Sequence, residues 1–383
     1  MSRRFIIILI IILEVLILGG LVWRSIYAPR DIPVMADTAV PDTAAEESAG
    51  ANETTSAVTE ETAVPETTLP ETTAEPQPTV YTLSFAGDCT LGNFKDDYGS
   101  QYSFMGVVGD DYDYPFAKVQ QWFAADDFTL VNFEGTLTNY TVATEKTYNF
   151  HAPPEYAAIL TAGSVEGVNI SNNHTYDYGQ TGYADTVTAL TDEGIAYVET
   201  NGTCLYTTEN GLTIGIYANQ FYFSVEDMQE AVDSLRDSGA EIVICSFHWG
   251  TEMEYTPNDT QIYYAHAAID AGADIVFGHH PHVLQPIEEY NGGIIYYSLG
   301  NFSFGGNRWP SDKDSAVLQQ EVIRAVDGTV SLGQLNIIPV SISGNAVWND
   351  YQPTPLEKES EAYNRVLSKL GRSLESTEKD EKS

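Results

Sequence analysis

The chain has 383 residues, with 55 Asp and Glu against 17 Lys and Arg, a formal net charge of −38 at pH 7. That balance leaves no basic stripe to neutralise phosphates, and nucleic acid is excluded as a partner. Cys89, Cys204 and Cys245 lack CxxC spacing. Cys245, inside the apolar run IVICSF, reads as a buried free thiol, and no disulfide framework is expected.

Residues 1–30 read as an N-terminal transmembrane signal anchor. Arg3 and Arg4 precede an apolar run from Phe5 to Trp23, interrupted by Glu14 and followed by Arg24. The run is long enough to cross a hydrocarbon core as a helix, and no small-residue cleavage site follows it. Arg3, Arg4 and the amino terminus, set against Arg24 and Arg30, favour an inside N-terminus with the bulk of the chain outside. This predicts a single-pass protein of the cell membrane whose folded part is extracytoplasmic. Glu14 is costly in lipid unless protonated or paired with another helix, so a partner in the membrane is one way to accommodate it.

Residues 31–79 carry Thr, Glu, Ala and Pro with scattered Asp, and no Lys, Arg or aromatic residue. Such a segment cannot bury enough apolar surface to offset its ordering entropy, and its like charges extend it. A disordered acidic linker is expected there.

Residues 80–345 have globular composition. Strands are predicted at 80–86, 128–133, 165–171, 212–218, 240–247 and 273–277, and helices at 115–125, 153–163, 180–193, 225–237 and 258–271. Further strands at 283–289, 293–298, 315–325 and 329–340 follow without helices between them. Alternation with a β-rich end indicates an α/β sandwich with mixed sheets. Residues 346–383 form a C-terminal segment in which Val366, Leu367 and Leu370 recur at helical spacing, before a polar tail.

Five predicted strands end in residues able to bind a metal. LSFAGDCTLG places Asp88 at its tip, FTLVNFEGTLT ends in Asn132 and Glu134, and GVNISNNHTYDYG ends in Asn172, Asn173 and His174. EIVICSFHWGTEMEY ends in His248, with Glu252 and Glu254 beyond it, and AGADIVF runs into Gly278, His279, His280 and His282. Any one of these is an ordinary turn former or helix cap. Together they supply imidazole and oxygen donors at the carboxyl ends of strands, where α/β folds gather ligands. Nitrogen and oxygen donors without thiolates suit one or two divalent ions, Mn, Zn, Fe or Mg.

These motifs, AGDCTLG, NFEGTLT, NNHTYDYG, HWGTEMEY and GHHPHVLQPIEEYNGGIIYYSLGNF, resemble those of the CapA-type poly-γ-glutamate capsule-synthesis proteins, distant relatives of calcineurin-like metallophosphoesterases. The resemblance covers about residues 80 to 340 and is specific for family more than for activity. It implies a four-layered α/β/β/α sandwich with a dinuclear metal centre at the strand ends. Position by position, it implies Asp88, Asn173, His248, His280 and His282 as metal ligands, Glu134 as a bridging carboxylate, and His174 as the imidazole that stabilises or protonates a leaving oxygen. The wider superfamily carries Asp-x-His at the first strand, whereas here Asp88 is followed two residues later by Thr90. One firm metal site and one weaker or substrate-assisted site are therefore expected.

Other candidates flank this set. Asp177 is either an outer carboxylate on an imidazole or a helix cap. Asn172, Glu252, His279, Asn301 and Arg308 are candidate substrate contacts. For His279 a ligand, an outer donor or a solvated position is equally open, and Arg308 also reads as half of a surface salt bridge. His151 and His266 read as structural. The functional expectation is a metal-dependent hydrolase or transferase acting on a phosphoester or amide in capsule or poly-γ-glutamate biosynthesis. The alternative is a non-catalytic polymer-binding or export-complex scaffold with a vestigial metal pocket. Expected partners are the cytoplasmic membrane, an anionic cell-envelope polymer or its precursor, and a membrane polymer-synthesis complex. Metal ions would supply the positive charge that this acidic chain lacks.

Overall fold

The computed structural model describes residues 76–97 and 99–373. The expected anchor at 1–30, nearly all of the linker and the polar tail from 374 lie outside the described residues. Among the described residues, no helix is long and apolar enough to cross a membrane.

Two mixed sheets organise the fold. The first runs in the order Thr354–Pro355, Val330–Ser341, Asp314–Arg324, Thr79–Thr90, Phe128–Phe133, Gly167–Asn169 and Ala196–Val198, with Asn301–Phe304 also pairing on Thr79–Thr90. Its half from Thr79–Thr90 to Ala196–Val198 is parallel. The second runs Ile287–Tyr290, Gly293–Tyr296, Ile275–His279, Ile242–His248, Thr213–Gln220 and Gly202–Thr207, parallel at its centre and antiparallel at both edges.

Successive residues of a strand face opposite sides of its sheet, and this builds the layers. Leu83, Phe85 and Leu130 of the first sheet share one core with Ile244, Ile275 and Phe277 of the second. Ala86, Val131 and Val168 turn the other way, onto Ile159, Leu160 and Leu190 of helices Ala158–Ala162 and Gly179–Asp192. Val243, Cys245 and Val276 likewise meet Met228, Val232 and Ala268 of helices Val225–Asp237 and Asp259–Asp270. The mixed α/β sandwich read from the sequence is present, layered helix, sheet, sheet, helix. Cys245 is free and buried, as expected.

The predicted elements mostly recur, and the departures have local causes. Helix Val225–Asp237 matches its predicted span: Ser224 caps it, Glu226 and Asp227 lie in its first turn, and Arg236 lies in its last, the charge order that suits a helix dipole. The helix predicted at 115–125 shrinks to Gln120–Phe123, where Val119 offers no side-chain cap. The strand predicted at 283–289 pairs only over Ile287–Tyr290. Pro286 has no N–H for a ladder, and Leu284 makes a single bridge to Leu299. Strands Gly202–Thr207 and Asn301–Phe304 were not anticipated. The C-terminal helix Glu361–Lys369 is present and buries Val366 and Leu367 in the inter-sheet core.

Register now positions the site. Asp88 stands opposite both Asn132 and Asn301, and His248 stands opposite His279. Parallel strands ending together bring these tips to one edge.

Candidate metal centre

Glu134 is the hub of that edge. Its backbone is tied down by its own N–H donating to the Cys89 carbonyl and by the Thr90 hydroxyl donating to its carbonyl. Thr90 therefore does structural work at the first strand end. The Glu134 carboxylate is fully buried, and neither oxygen has a hydrogen-bond partner among the described residues. Its Oε1 lies 3.6 Å from His174 Nε2, 3.9 Å from His248 Nε2 and 3.9 Å from His282 Nε2. Burial pushes its pKa up to about 8, against the pull of His282.

Asp88 and His282 form an ion pair beside it, with Asp88 Oδ2 3.0 Å from His282 Nδ1. Burial alone would raise the Asp88 pKa, but the hydrogen bond and charge of His282 hold it below its ordinary value. Asn132 Nδ2 donates to Asp88 Oδ1 at 2.8 Å, and Asn301 Oδ1 lies 2.9 Å from His282 Nδ1. His280 and His282 both adopt positive φ, 97° and 57°, a conformation rare for side-chain-bearing residues and one that often marks function. The exposed Glu252 joins them: single donor atoms of Glu252, His280 and His282 lie within 4.8 Å of one another, as do those of Asp88, Glu134 and His282. His282 belongs to both groups.

A divalent ion fits this donor set. Both ring nitrogens of His248 are buried without partners, as are His280 Nδ1 and both Glu134 oxygens. Orphaned buried polar atoms each cost on the order of 1–3 kcal/mol, and a cation among them would remove that cost. Burial holds His248 well below its ordinary pKa and His280 at about 4, so both rings are neutral, the form that ligates metals.

The remaining sequence candidates are sorted by the tertiary structure. Asp177 does not cap the following helix. Its Oδ2 lies 2.8 Å from His174 Nδ1 and accepts from the Phe150 N–H, while its Oδ1 pairs with Lys146 at 2.6 Å. Asn173, expected as a ligand, is exposed, and its backbone carbonyl accepts from Lys146. The buried amide at this turn belongs to Asn172, which donates to Asn132 Oδ1 and the Phe133 carbonyl and accepts from the His174 N–H. The tight turn sends one side chain inward and its neighbour out, so Asn172, expected as a substrate contact, is buried and braces the site. His279 is also buried: it contacts Ser246 at 3.0 Å and lies 3.7 Å from Asp88. Arg308 makes no salt bridge among the described residues and packs on aromatic rings. His151 and His266 lie outside the cluster.

Three contributors escaped the sequence reading. Asn132 stood at a strand tip without a role, although its position two residues before Glu134 was a usable signal. Lys146, from a loop, and Phe150, which opens the short strand Phe150–Ala152 and whose ring lies 4.5 Å from that of His174, carry no motif of their own.

The family described as bacterial capsule synthesis protein PGA_cap matches residues 82–306. The chain is 30% identical over 316 residues to the PGA biosynthesis protein CapA of Bacillus subtilis, covering 76% of this chain and 78% of that protein. It is 29% identical over 291 residues to the capsule biosynthesis protein CapA of Bacillus anthracis, covering 68% of this chain and 67% of that protein. It also superposes on the NAD nucleotidase of Haemophilus influenzae, with a TM-score of 0.41 and 13% identity over 80% of this chain and 66% of that one, too loosely to bear on activity. With well over half of its length matched in this way, the chain belongs to the bacterial capsule synthesis protein PGA_cap family.

Proposed function

We propose that the chain acts in the biosynthesis of capsular poly-γ-glutamate or a similar cell-envelope polymer, through a divalent-metal hydrolase or transferase site of the metallophosphoesterase type. In this reading residues 1–30 anchor it in the cytoplasmic membrane with the site outside, where it would meet the polymer, its precursor and a membrane synthesis complex. Family membership supports the polymer. The run from Phe5 to Trp23 between arginines supports the placement. The observation that carries the chemistry is the set of buried donors without partners on Glu134, His248 and His280.

Asp88, Glu134 and His282 would hold one ion, and His280 and Glu252 offer donors for a second, more exposed position. Ions held there supply Lewis acidity that stabilises negative charge developing on a phosphoryl or acyl oxygen. The chain's own residues do the rest. Asp177 fixes the ring of His174 through Nδ1 and leaves Nε2 directed at the centre, placed to hand a proton to a leaving oxygen or nitrogen. Asn132 and Asn172 lock the first-sheet tips, and Asn301 and Asp88 orient His282. Phe150 and Phe304 wall the imidazoles of His174 and His282 against water.

Elemental analysis of the full chain, beside a His280→Ala/His282→Ala double variant, tests this reading. Near-stoichiometric metal that the double variant loses supports it, and would be followed by turnover assays on phosphoesters and γ-glutamyl amides. No metal in either protein after loading with Mn and Zn would sink it.

A further inference from the structure

Cations are scarce in this chain, so an unpaired one is informative. Five arginines fall among the described residues: Arg236, Arg308, Arg324, Arg365 and Arg372. Four are paired with carboxylates, those of Asp274, Glu241, Asp314 and Glu289 respectively. Arg308 alone has no carboxylate partner among the described residues, in a chain with 55 acidic side chains. Its guanidinium instead lies 4.1 Å from the centre of the Tyr102 ring, 5.0 Å from that of Trp309 and 5.8 Å from that of Trp348. Its Nε is buried without a partner. Tyr102 and Trp309 are themselves exposed, at 47% and 60%, so the cage opens to solvent.

The cage is held rigidly. The fully buried Asn349 donates through Nδ2 to the carbonyls of Phe304 and Asn307 and through its N–H to that of Arg308. Tyr351 donates its hydroxyl to the Tyr102 carbonyl. The loop is also joined to the metal-centre wall. A Cβ on Gly306 would lie 2.7 Å from the Phe304 ring and 2.8 Å from that of Phe150, the two rings that flank His282 and His174. Two residues span at most about 7 Å of chain, so the backbone of Arg308 lies within that distance of Gly306, which packs on the wall.

We propose that Arg308 and its aromatic cage form an anion subsite beside the metal centre, which grips a pendant α-carboxylate of the acidic polymer and sets the register of the chain in the site. A guanidinium stacked on rings keeps its edge donors free and coplanar, matched to the two oxygens of a carboxylate. The subsite gives a polyanion one fixed cationic contact on a surface that otherwise repels it. The identity of the ligand rests on the function proposed above, whereas the contact itself needs no metal.

The test is calorimetric titration of the full chain in detergent with a short oligo-γ-glutamate, with and without prior chelator treatment. Arg308→Gln should weaken binding at least about tenfold in both conditions, with melting temperature and metal content unchanged. Arg308→Lys, which keeps charge but not the planar fork, should fall between the two. An oligomer with its α-carboxylates amidated should bind wild type as weakly as the acidic one binds Arg308→Gln. Equal binding by Arg308→Gln, or equal binding of the amidated oligomer, overturns the proposal. So does competition by inorganic phosphate at concentrations where acetate has no effect. If Arg308→Gln does not fold, the Lys variant decides, and wild-type affinity there overturns the carboxylate fork. An Arg308-dependent difference that survives in metal-free protein would stand even if the metal reading failed.

Discussion

Asp177 Oδ2 lies 2.8 Å from His174 Nδ1, and the far nitrogen of the same ring faces Glu134 Oε1 at 3.6 Å. A histidine on a strand-end turn is thereby converted into a directed group, braced from behind by a buried carboxylate that Lys146 also pairs with. In the function proposed above this geometry would separate proton transfer from metal holding, and the two can be measured apart.

Asp177→Asn keeps the shape of the side chain but removes the charge that receives three donors. On whichever phosphoester or amide the wild type turns over, kcat is expected to fall by about 10²–10⁴, the usual worth of a positioned acid–base group. Metal content should stay at the wild-type level, and His174→Ala should behave the same way. A parallel loss of metal would make the pair structural.

Gly278 marks the change from strand to histidine cluster. A Cβ there would sit 2.2 Å from the Tyr297 carbonyl oxygen and 2.5 Å from Trp249 Nε1, which donates to that same oxygen. Gly278→Ala must part this contact at a cost of roughly 1–3 kcal/mol, and it shifts His279, His280 and His282 with it. Lower thermal stability together with weaker metal binding is expected. Wild-type values for both would show that the close approach is not needed.

Phe85 joins the two sheets, its ring 5.1 Å from Phe277 and 5.3 Å from Tyr296. Phe85→Ala should cost about 3–5 kcal/mol in denaturant unfolding, through lost burial and the cavity left behind. A cost below about 1 kcal/mol would mean that the sheets can collapse onto the gap.

Asp126, just before the Phe128–Phe133 strand and so at the end away from the site, carries a pKa raised by burial to about 7 from 3.8. Its folded form holds a proton that the unfolded chain has released, so stability is full below about pH 4 and falls as pH rises toward 7. Asp126→Asn, which can still accept from the Thr129 hydroxyl, should flatten that decline. Unfolding curves from pH 4 to 8 that keep the wild-type slope would show that another group is responsible.

The amino-acid sequence by itself determined most of the longer strands, most helices and the chemical types gathered at the strand ends, because period-2 and period-3.6 burial and the residues that end a strand are local properties. The donors Asp88, Glu134, His248, His280 and His282 were legible for that reason. Only the tertiary structure decided that Asn172 turns inward and Asn173 outward, since neighbours on a turn are separated by backbone dihedrals that composition does not encode. It also decided that His279 is buried against Ser246, that Lys146 reaches Asp177 across 31 positions, and that Arg308 stacks on Tyr102 from more than 200 positions away. Those contacts depend on how two sheets and their loops meet in space, and no pattern within a single segment carries that information.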